Sequence, residues 1–122
     1  MEFLLDSVIL IDHFNNITAA TDYLKKVQGK CAISVITRAE VLAGFDSPER
    51  EIAAKFLDSF SLLGIDLTIA DLAAVLRRQE KWKLPDAIQA ALAKAHSLKL
   101  VTRNTKDFPP EKYDFVVVPY SL

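Results

Sequence analysis

Residues 84–107 read LPDAIQAALAKAHSLKLVTRNTKD, and this stretch decides the fold. Pro85 is favoured at the first position of a helix, and the apolar residues after it recur at helical spacing up to Ser97. Because several of them are alanine, we expect this helix to lie close to a sheet. The apolar run at residues 100–102 then predicts a strand. A helix that leads into a buried strand is the building unit of a parallel α/β sheet.

The same alternation of strand and helix extends along the whole chain. Five short apolar runs predict strands covered on both faces, since they lack the apolar–polar alternation of a half-solvated sheet. The predicted strands are residues 3–5, 32–35, 65–67, 100–102 and 115–118. The helix signals between them are a Thr18 cap for residues 19–27, Ser47 and Pro48 opening a helix to about residue 60, a Thr68–Asp71 capping box, and Pro85 opening a helix to Ser97.

This order predicts an α/β fold, a three-layer α/β/α sandwich with a mostly parallel sheet of about five strands and right-handed crossovers. The length of 122 residues fits one domain over residues 1–122. Hydrophobic residues make up 51% of the chain and charged residues 25%, as in packed globular domains.

The composition also excludes several classes of protein. No apolar run approaches the ~20 residues that cross a bilayer, and no basic region resembling a signal peptide opens the chain, so we expect a cytoplasmic protein. The single cysteine, Cys31, cannot form an internal disulfide and is expected to be a buried apolar residue. A net charge of -1 argues against a protein that coats nucleic acid through its overall charge.

Four acidic residues lie where the chain passes the carboxyl ends of the predicted strands. Asp6 ends the first strand, Glu40 is on the helix after the second, Asp86 begins the helix that leads to the fourth, and Asp107 follows the fourth. The carboxyl ends of parallel strands meet at one edge of a sheet, and a helix returning to a parallel strand begins at that edge. We therefore expect the four carboxylates to lie close together.

Carboxylates gathered in this way repel one another unless a cation neutralises them. Their hard oxygen atoms favour Mg²⁺ or Mn²⁺. The chemistry that suits such a site is phosphodiester hydrolysis, in which divalent ions activate a water and stabilise the charge that develops on the phosphate. Asn104 and Thr102, beside Asp107, are candidates for orienting a ligand through hydrogen bonds.

Each acid also has a purely structural interpretation. Asp6 can cap a helix, Asp86 can interact with a helix dipole, Glu40 can be a solvated helix residue and Asp107 can hold a turn. Four such coincidences at one edge favour a shared functional role. The other aspartates are expected to be surface, cap or turn residues: Asp12, Asp22, Asp46, Asp58, Asp66, Asp71 and Asp114. His13 and His96 are not expected to be metal ligands.

Four segments resemble the acidic motifs of PIN-domain proteins, in the same order and with similar spacing. They are LDSVILID at residues 5–12, TRAEVLAG at 37–44, LPDAIQAA at 84–91 and VTRNTKDF at 101–108. The length resembles that of the VapC-like toxins within this family.

This resemblance implies a metal-dependent endoribonuclease, the toxin of a toxin–antitoxin module. It implies that Asp6, Glu40, Asp86 and Asp107 are catalytic residues that bind Mg²⁺, or Mn²⁺ in its place, with Asn104 as a polar catalytic helper. It also implies an RNA substrate, a VapB-like antitoxin as partner, and a homodimer.

Basic residues near the motifs are candidates for a positive rim that contacts RNA phosphates, although a solvated surface explains them equally well. These residues are Arg38, Lys81, Lys83, Arg103 and Lys106. Trp82 is a candidate for stacking on a base or for a subunit contact, but a lone aromatic near a helix end more often packs, and the sequence assigns it no role.

Three other classes compete with a nuclease. A receiver-like signalling domain requires a phosphoacceptor aspartate at the end of the third strand, where Asp66 is the nearest candidate. A haloacid-dehalogenase-like phosphatase requires an aspartate two residues after Asp6, where Val8 stands. A catalytically inactive PIN-like module that binds RNA or protein is disfavoured because all four acids are present.

Overall fold

The computed structural model describes all 122 residues and contains five strands and six helices. The strands are β1 (Phe3–Leu5), β2 (Cys31–Ser34), β3 (Ser61–Leu63), β4 (Lys99–Val101) and β5 (Val116–Val117). The helices are α1 (Ser7–Phe14), α2 (Thr18–Lys26), α3 (Val35–Leu42), α4 (Glu49–Leu57), α5 (Leu67–Glu80) and α6 (Leu84–Ala95).

The five strands form one sheet in the order β3-β2-β1-β4-β5, and every neighbouring pair is parallel. β1 is the central strand, since Phe3 lies opposite Cys31 of β2 on one side and Lys99 of β4 on the other. Because the strands are parallel, all five end at the same edge of the sheet, which we call the carboxyl edge. The prediction of a parallel, five-stranded sheet is confirmed.

Helices cover both faces of this sheet. Neighbouring residues of a strand point to opposite faces, and Leu4 and Leu5 of β1 are both fully buried. Leu4 belongs to a 16-residue apolar cluster that includes α5 and α6, whereas Leu5 belongs to a 10-residue cluster that includes α1 to α4. The three-layer α/β/α sandwich is therefore confirmed, and burial on both faces explains why the central strands β1 and β2 show no polar alternation.

Small side chains allow α6 to lie close to the sheet. Ala87, Ala90 and Ala91 have no solvent exposure and pack in the same cluster as Leu4 and Leu100. The start of the helix follows from Pro85, which lies in its first turn, where the missing backbone N–H costs nothing. The helix predicted from Pro85 to Ser97 is thus confirmed, although it ends at Ala95.

The predicted third strand at residues 65–67 is wrong. β3 lies earlier, at Ser61–Leu63, and Leu67 instead begins α5. The cause is Asp66, whose carboxylate accepts a hydrogen bond of 2.9 Å from the backbone nitrogen of Ile69 and so caps the helix. The predicted capping box of Thr68 and Asp71 is replaced by this cap.

Two helix starts also differ from prediction. Thr18 is the first residue of α2 rather than its cap, and the cap position makes no side-chain hydrogen bond. α4 begins at Glu49, with Pro48 in the cap position.

The burial of Cys31 is confirmed, since it packs among the apolar residues around Leu5. None of the six helices combines the length and hydropathy that a membrane crossing requires.

The alanine face of α6 makes a prediction about stability. Replacing Ala91 by leucine inserts three carbon atoms into a filled layer, and overpacking of this kind costs about 1–3 kcal/mol of the free energy of unfolding. Ala95→Leu on the same helix is the control, because Ala95 is exposed. Urea unfolding of both variants measures the difference, and equal stabilities would contradict close packing of α6 on the sheet.

Candidate active site

Asp6 lies at the centre of the carboxyl edge, directly after β1. It caps α1, with one carboxylate oxygen, Oδ1, accepting from the backbone nitrogen of Ser7 at 2.9 Å. Oδ2 accepts from the Thr102 hydroxyl at 2.7 Å, and Oδ1 also accepts from the Gln89 side-chain amide at 3.3 Å. We call the four predicted acids, Asp6, Glu40, Asp86 and Asp107, the acidic cluster. Asp6, which is 8% exposed, can cap α1 and belong to this cluster at the same time.

Asp86 lies in the first turn of α6 and is half-buried. Partial burial and the negative charges of Asp6, Asp107 and Glu40 together raise the pKa of its carboxyl to about 6, while the positive charge of Lys83 acts in the opposite direction. The other three acids predicted from sequence are therefore all close enough to Asp86 for their charges to affect it.

Glu40 lies on α3 and contributes to the cluster from the solvent side. Although the residue is exposed, neighbouring protein atoms partly desolvate its carboxyl and raise its pKa. A hydrogen bond from the side chain of Ser7 lowers the pKa, and the charge of Asp6 raises it. Glu40 thus faces the first turn of α1, next to Asp6.

Asp107 is held by the loop that follows β4. The Asn104 side-chain amide donates to Asp107 Oδ2 at 3.0 Å, and the Asp107 backbone nitrogen donates to Asn104 Oδ1 at 3.3 Å. The Asn104 backbone nitrogen in turn donates to the Thr102 hydroxyl at 3.0 Å. Thr102 therefore links Asp6 to the Asn104–Asp107 turn.

The four carboxylates suit a divalent metal in their chemistry but do not form a ready-made coordination sphere. No group of three or more His, Cys, Asp or Glu side chains is arranged to hold a metal ion in the structure. Their oxygen atoms are the ligands that hard divalent cations prefer, and the raised pKa of Asp86 shows negative charge without a compensating cation.

Gln89 is a residue of this site that sequence reasoning missed. It lies one turn after Asp86 on α6 and is 2% exposed. Its amide nitrogen donates to Asp6 and, at 2.8 Å, to the Thr37 hydroxyl. Its oxygen is the one buried side-chain polar atom without a partner. The available signal was a glutamine on the otherwise apolar inner face of an alanine-rich helix.

Asp12 was expected to be a surface, cap or turn residue, and this expectation is wrong. It is buried, and Arg103 donates to its two carboxylate oxygens at 2.6 and 2.9 Å. The Tyr120 hydroxyl donates to the same carboxylate at 2.8 Å. The hydrogen bond from Arg103 is the main cause of a lowered pKa at Asp12. This pair ties α1 to the segment between Thr102 and Asn104.

The basic rim predicted from sequence is smaller than expected. Arg103 is committed to Asp12, and Arg38 pairs with Asp58 at 2.9 Å. Lys81, Lys83 and Lys106 remain exposed. Trp82, to which the sequence assigned no role, is buried and packs against Phe108 and Tyr113.

The chain is similar to proteins of one known family. A family model for the PIN domain matches residues 3–110. Ribonuclease VapC10 of Mycobacterium tuberculosis is 34% identical, over 87% of this chain and 85% of its own length.

Solved structures with the same fold include chains from two bacteria. A chain of a toxin–antitoxin complex from Klebsiella pneumoniae has a TM-score of 0.90 and 39% identity, with 99% of this chain and all of that chain covered. FitAcB from Neisseria gonorrhoeae has a TM-score of 0.80 and 24% identity, covering 98% of this chain and 99% of that chain, a likeness of fold alone.

The electrostatics of the cluster predict a titration in metal-free protein. Carbon-13 NMR of the side-chain carboxyls is expected to show Asp86 with a pKa of about 6, and a lower pKa in Asp6→Asn because one neighbouring charge is removed.

The same shift affects stability. The folded state binds the Asp86 proton more tightly than the unfolded chain, so the free energy of unfolding falls as pH rises between 3.8 and about 6. Asp86→Asn removes this part of the decline. An Asp86 carboxyl that titrates at 3.8 would show that the four acids do not share a site.

Proposed function

Because the chain belongs to the PIN-domain family, we propose that it is a divalent-metal-dependent endoribonuclease that acts as the toxin of a toxin–antitoxin pair. The observation that carries this proposal is the acidic cluster, in which the charges of Asp6, Glu40 and Asp107, from three separate segments, all raise the pKa of Asp86. The resemblance to ribonuclease VapC10 supports RNA as the substrate. The resemblance to a toxin–antitoxin complex from Klebsiella pneumoniae supports the pairing with an antitoxin.

PIN-domain ribonucleases generally use a divalent metal ion. For this chain we propose Mg²⁺, with Mn²⁺ as a substitute, held by Asp6, Glu40, Asp86 and Asp107. When bound, the metal supplies an activated water and neutralises charge that develops on the phosphate.

The remaining residues of the site orient these acids. Both oxygens of the Asp6 carboxylate have protein donors, from Ser7, Gln89 and Thr102, so its plane is fixed before any ligand binds. Asn104 plays the same part for Asp107. We therefore assign Asn104 and Gln89 as positioning residues. Asn104, which the sequence suggested as a catalytic helper, acts through Asp107 and does not take part directly.

An antitoxin of the VapB type is the proposed partner. A basic side chain inserted among four carboxylates forms charge-assisted hydrogen bonds and competes with both metal and RNA. An amphipathic helix of the same partner is a suitable element to dock on the domain.

Two competing functions lose support from the geometry. Asp66, the candidate phosphoacceptor of a receiver-like domain, uses its carboxylate to cap α5, and the strand before it is an edge strand. A catalytically inactive module has no need for an acid such as Asp86, whose charge is disfavoured by burial and by three neighbouring acids.

Cleavage of labelled RNA with Mg²⁺ or Mn²⁺ tests the proposed function. Asp6→Asn and Asp86→Asn are each expected to abolish cleavage and retain the fold, because the amide keeps the shape but loses the anionic ligand. Asp22→Asn is the control, since Asp22 is exposed on α2. Production of the unmutated chain alone is also expected to arrest growth, and Asp6→Asn to relieve the arrest. Cleavage that persists in EDTA would contradict a metal-dependent nuclease.

Gln89→Met tests the positioning role, because methionine has a similar volume but no N–H donor. A hydrogen bond to a charged group contributes about 1.5–3 kcal/mol, so the cleavage rate is expected to fall about tenfold or more. The KM for RNA stays unchanged, and calorimetry shows weaker binding of Mn²⁺. Gln28→Met on the exposed turn after α2 is the control. A raised KM with an unchanged rate would assign Gln89 to RNA binding instead.

A further inference from the structure

A cationic groove lies where α5 ends and α6 begins. It has a volume of about 660 Å³, and four of its lining residues are Arg77, Arg78, Lys81 and Lys83. This segment lies outside the four acidic motifs. In a chain with a net charge of -1, four positive charges within seven residues form a local positive surface.

The charges of the groove are not neutralised within the protein. All four basic residues are exposed, and the four ion pairs of the structure involve other cations. Glu80, the one acid in the segment, turns away to the Tyr113 hydroxyl and Lys112. Arg77 donates through Nη1 to the backbone oxygen of Trp82 at 2.9 Å, which leaves its other nitrogens free of protein partners.

The groove adjoins the acidic cluster. Lys83 immediately precedes α6, and its charge acts on Asp86 in the first turn of that helix. Trp82 lines the groove and donates through its ring nitrogen to the backbone oxygen of Asp107 at 2.9 Å. A polyanion that enters the acidic cluster therefore has the groove directly beside it.

The lining favours binding of phosphate over binding of bases. Trp82 is 4% exposed, and its ring packs against Phe108 and Tyr113 at centroid distances of 4.9 and 5.2 Å, so it offers no face on which a base can stack. Arginine and lysine side chains that bind phosphate position the strand but do not read its sequence.

We propose that the cationic groove is a binding subsite for the phosphate backbone of single-stranded RNA beside the scissile bond. This inference rests on the proposed nuclease function. The subsite increases affinity for any strand and leaves the choice of target sequence to other parts of the protein or of the RNA.

The test uses Arg78→Gln with Lys81→Gln in one variant. Arg77 is left in place because it holds Trp82, and Lys83 because it acts on Asp86. Lys26→Gln with Arg50→Gln is the matched control, since both residues are exposed on other helices and removing them changes the net charge equally. Fluorescence anisotropy measures binding of labelled oligouridylate and oligoadenylate in EDTA, where no cleavage occurs, over a series of KCl concentrations.

The groove variant is expected to bind both oligonucleotides more weakly than the control, with the difference greatest at low salt. Each phosphate that a basic side chain neutralises on a single strand contributes about 0.7 to the slope of log affinity against log salt. Because the variant lacks two such side chains, its slope should be smaller by about 1.4. With metal present, the same variant should show a raised KM for RNA and an unchanged kcat.

Equal affinities and slopes for the groove variant and the control would overturn the subsite, even if the wild-type protein cleaves RNA. The subsite would also be overturned if the groove variant lost binding to an acidic peptide, polyglutamate, but bound RNA as well as the control does. Groove-dependent RNA binding in a wild-type protein that cleaves nothing with metal would instead retain the subsite and contradict the proposed nuclease.

Discussion

The parallel pairing of β1 with both β2 and β4 is the constraint on which the rest of the structure depends. It places the ends of β2, β1 and β4 at one edge of the sheet. Each of these strands is followed by one of the acids or by a residue that orients an acid. Asp6 follows β1, Thr102 follows β4, and α3 carries Glu40 away from β2. Since α6 returns to β4, its first turn brings Asp86 to the same edge.

The acidic cluster at the carboxyl edge lowers the stability of the fold, and the apolar residues between the sheet and its helices supply that stability. Burial of the Asp86 carboxyl and the charges of the neighbouring acids raise its pKa to about 6, so the charged form of Asp86 opposes folding. The buried apolar residues on both faces of the sheet, among them Leu4 and Leu5, offset it. The Arg103–Asp12 pair attaches α1, which begins directly after Asp6, to the loop after β4, which carries Asp107.

Much of this architecture was predictable because it depends on local pattern. The central strands are buried on both faces and read as continuous apolar runs, and parallel topology then brings Asp6 and Asp86 together. The third strand was misplaced because Ile65 and Leu67 are as apolar as Leu62 and Leu63 of β3, and a short apolar segment does not distinguish a strand from the start of a helix. Asp12 and Gln89 were missed because their roles depend on contacts with Arg103 and Asp6, which are distant in sequence. Their burial and hydrogen bonds exist only in the folded chain.

Location of the metal is the most direct test of the central claim, that the carboxyl edge is a divalent-metal site. Crystals of the protein soaked in Mn²⁺ give an anomalous difference map in which manganese is identified independently of how its ligands are placed. We predict a peak within coordination distance of Asp6, Asp86 and Asp107 oxygens, and its loss in Asp6→Asn crystals. An Mn²⁺ peak elsewhere in the molecule, with none at the carboxyl edge, would contradict the claim.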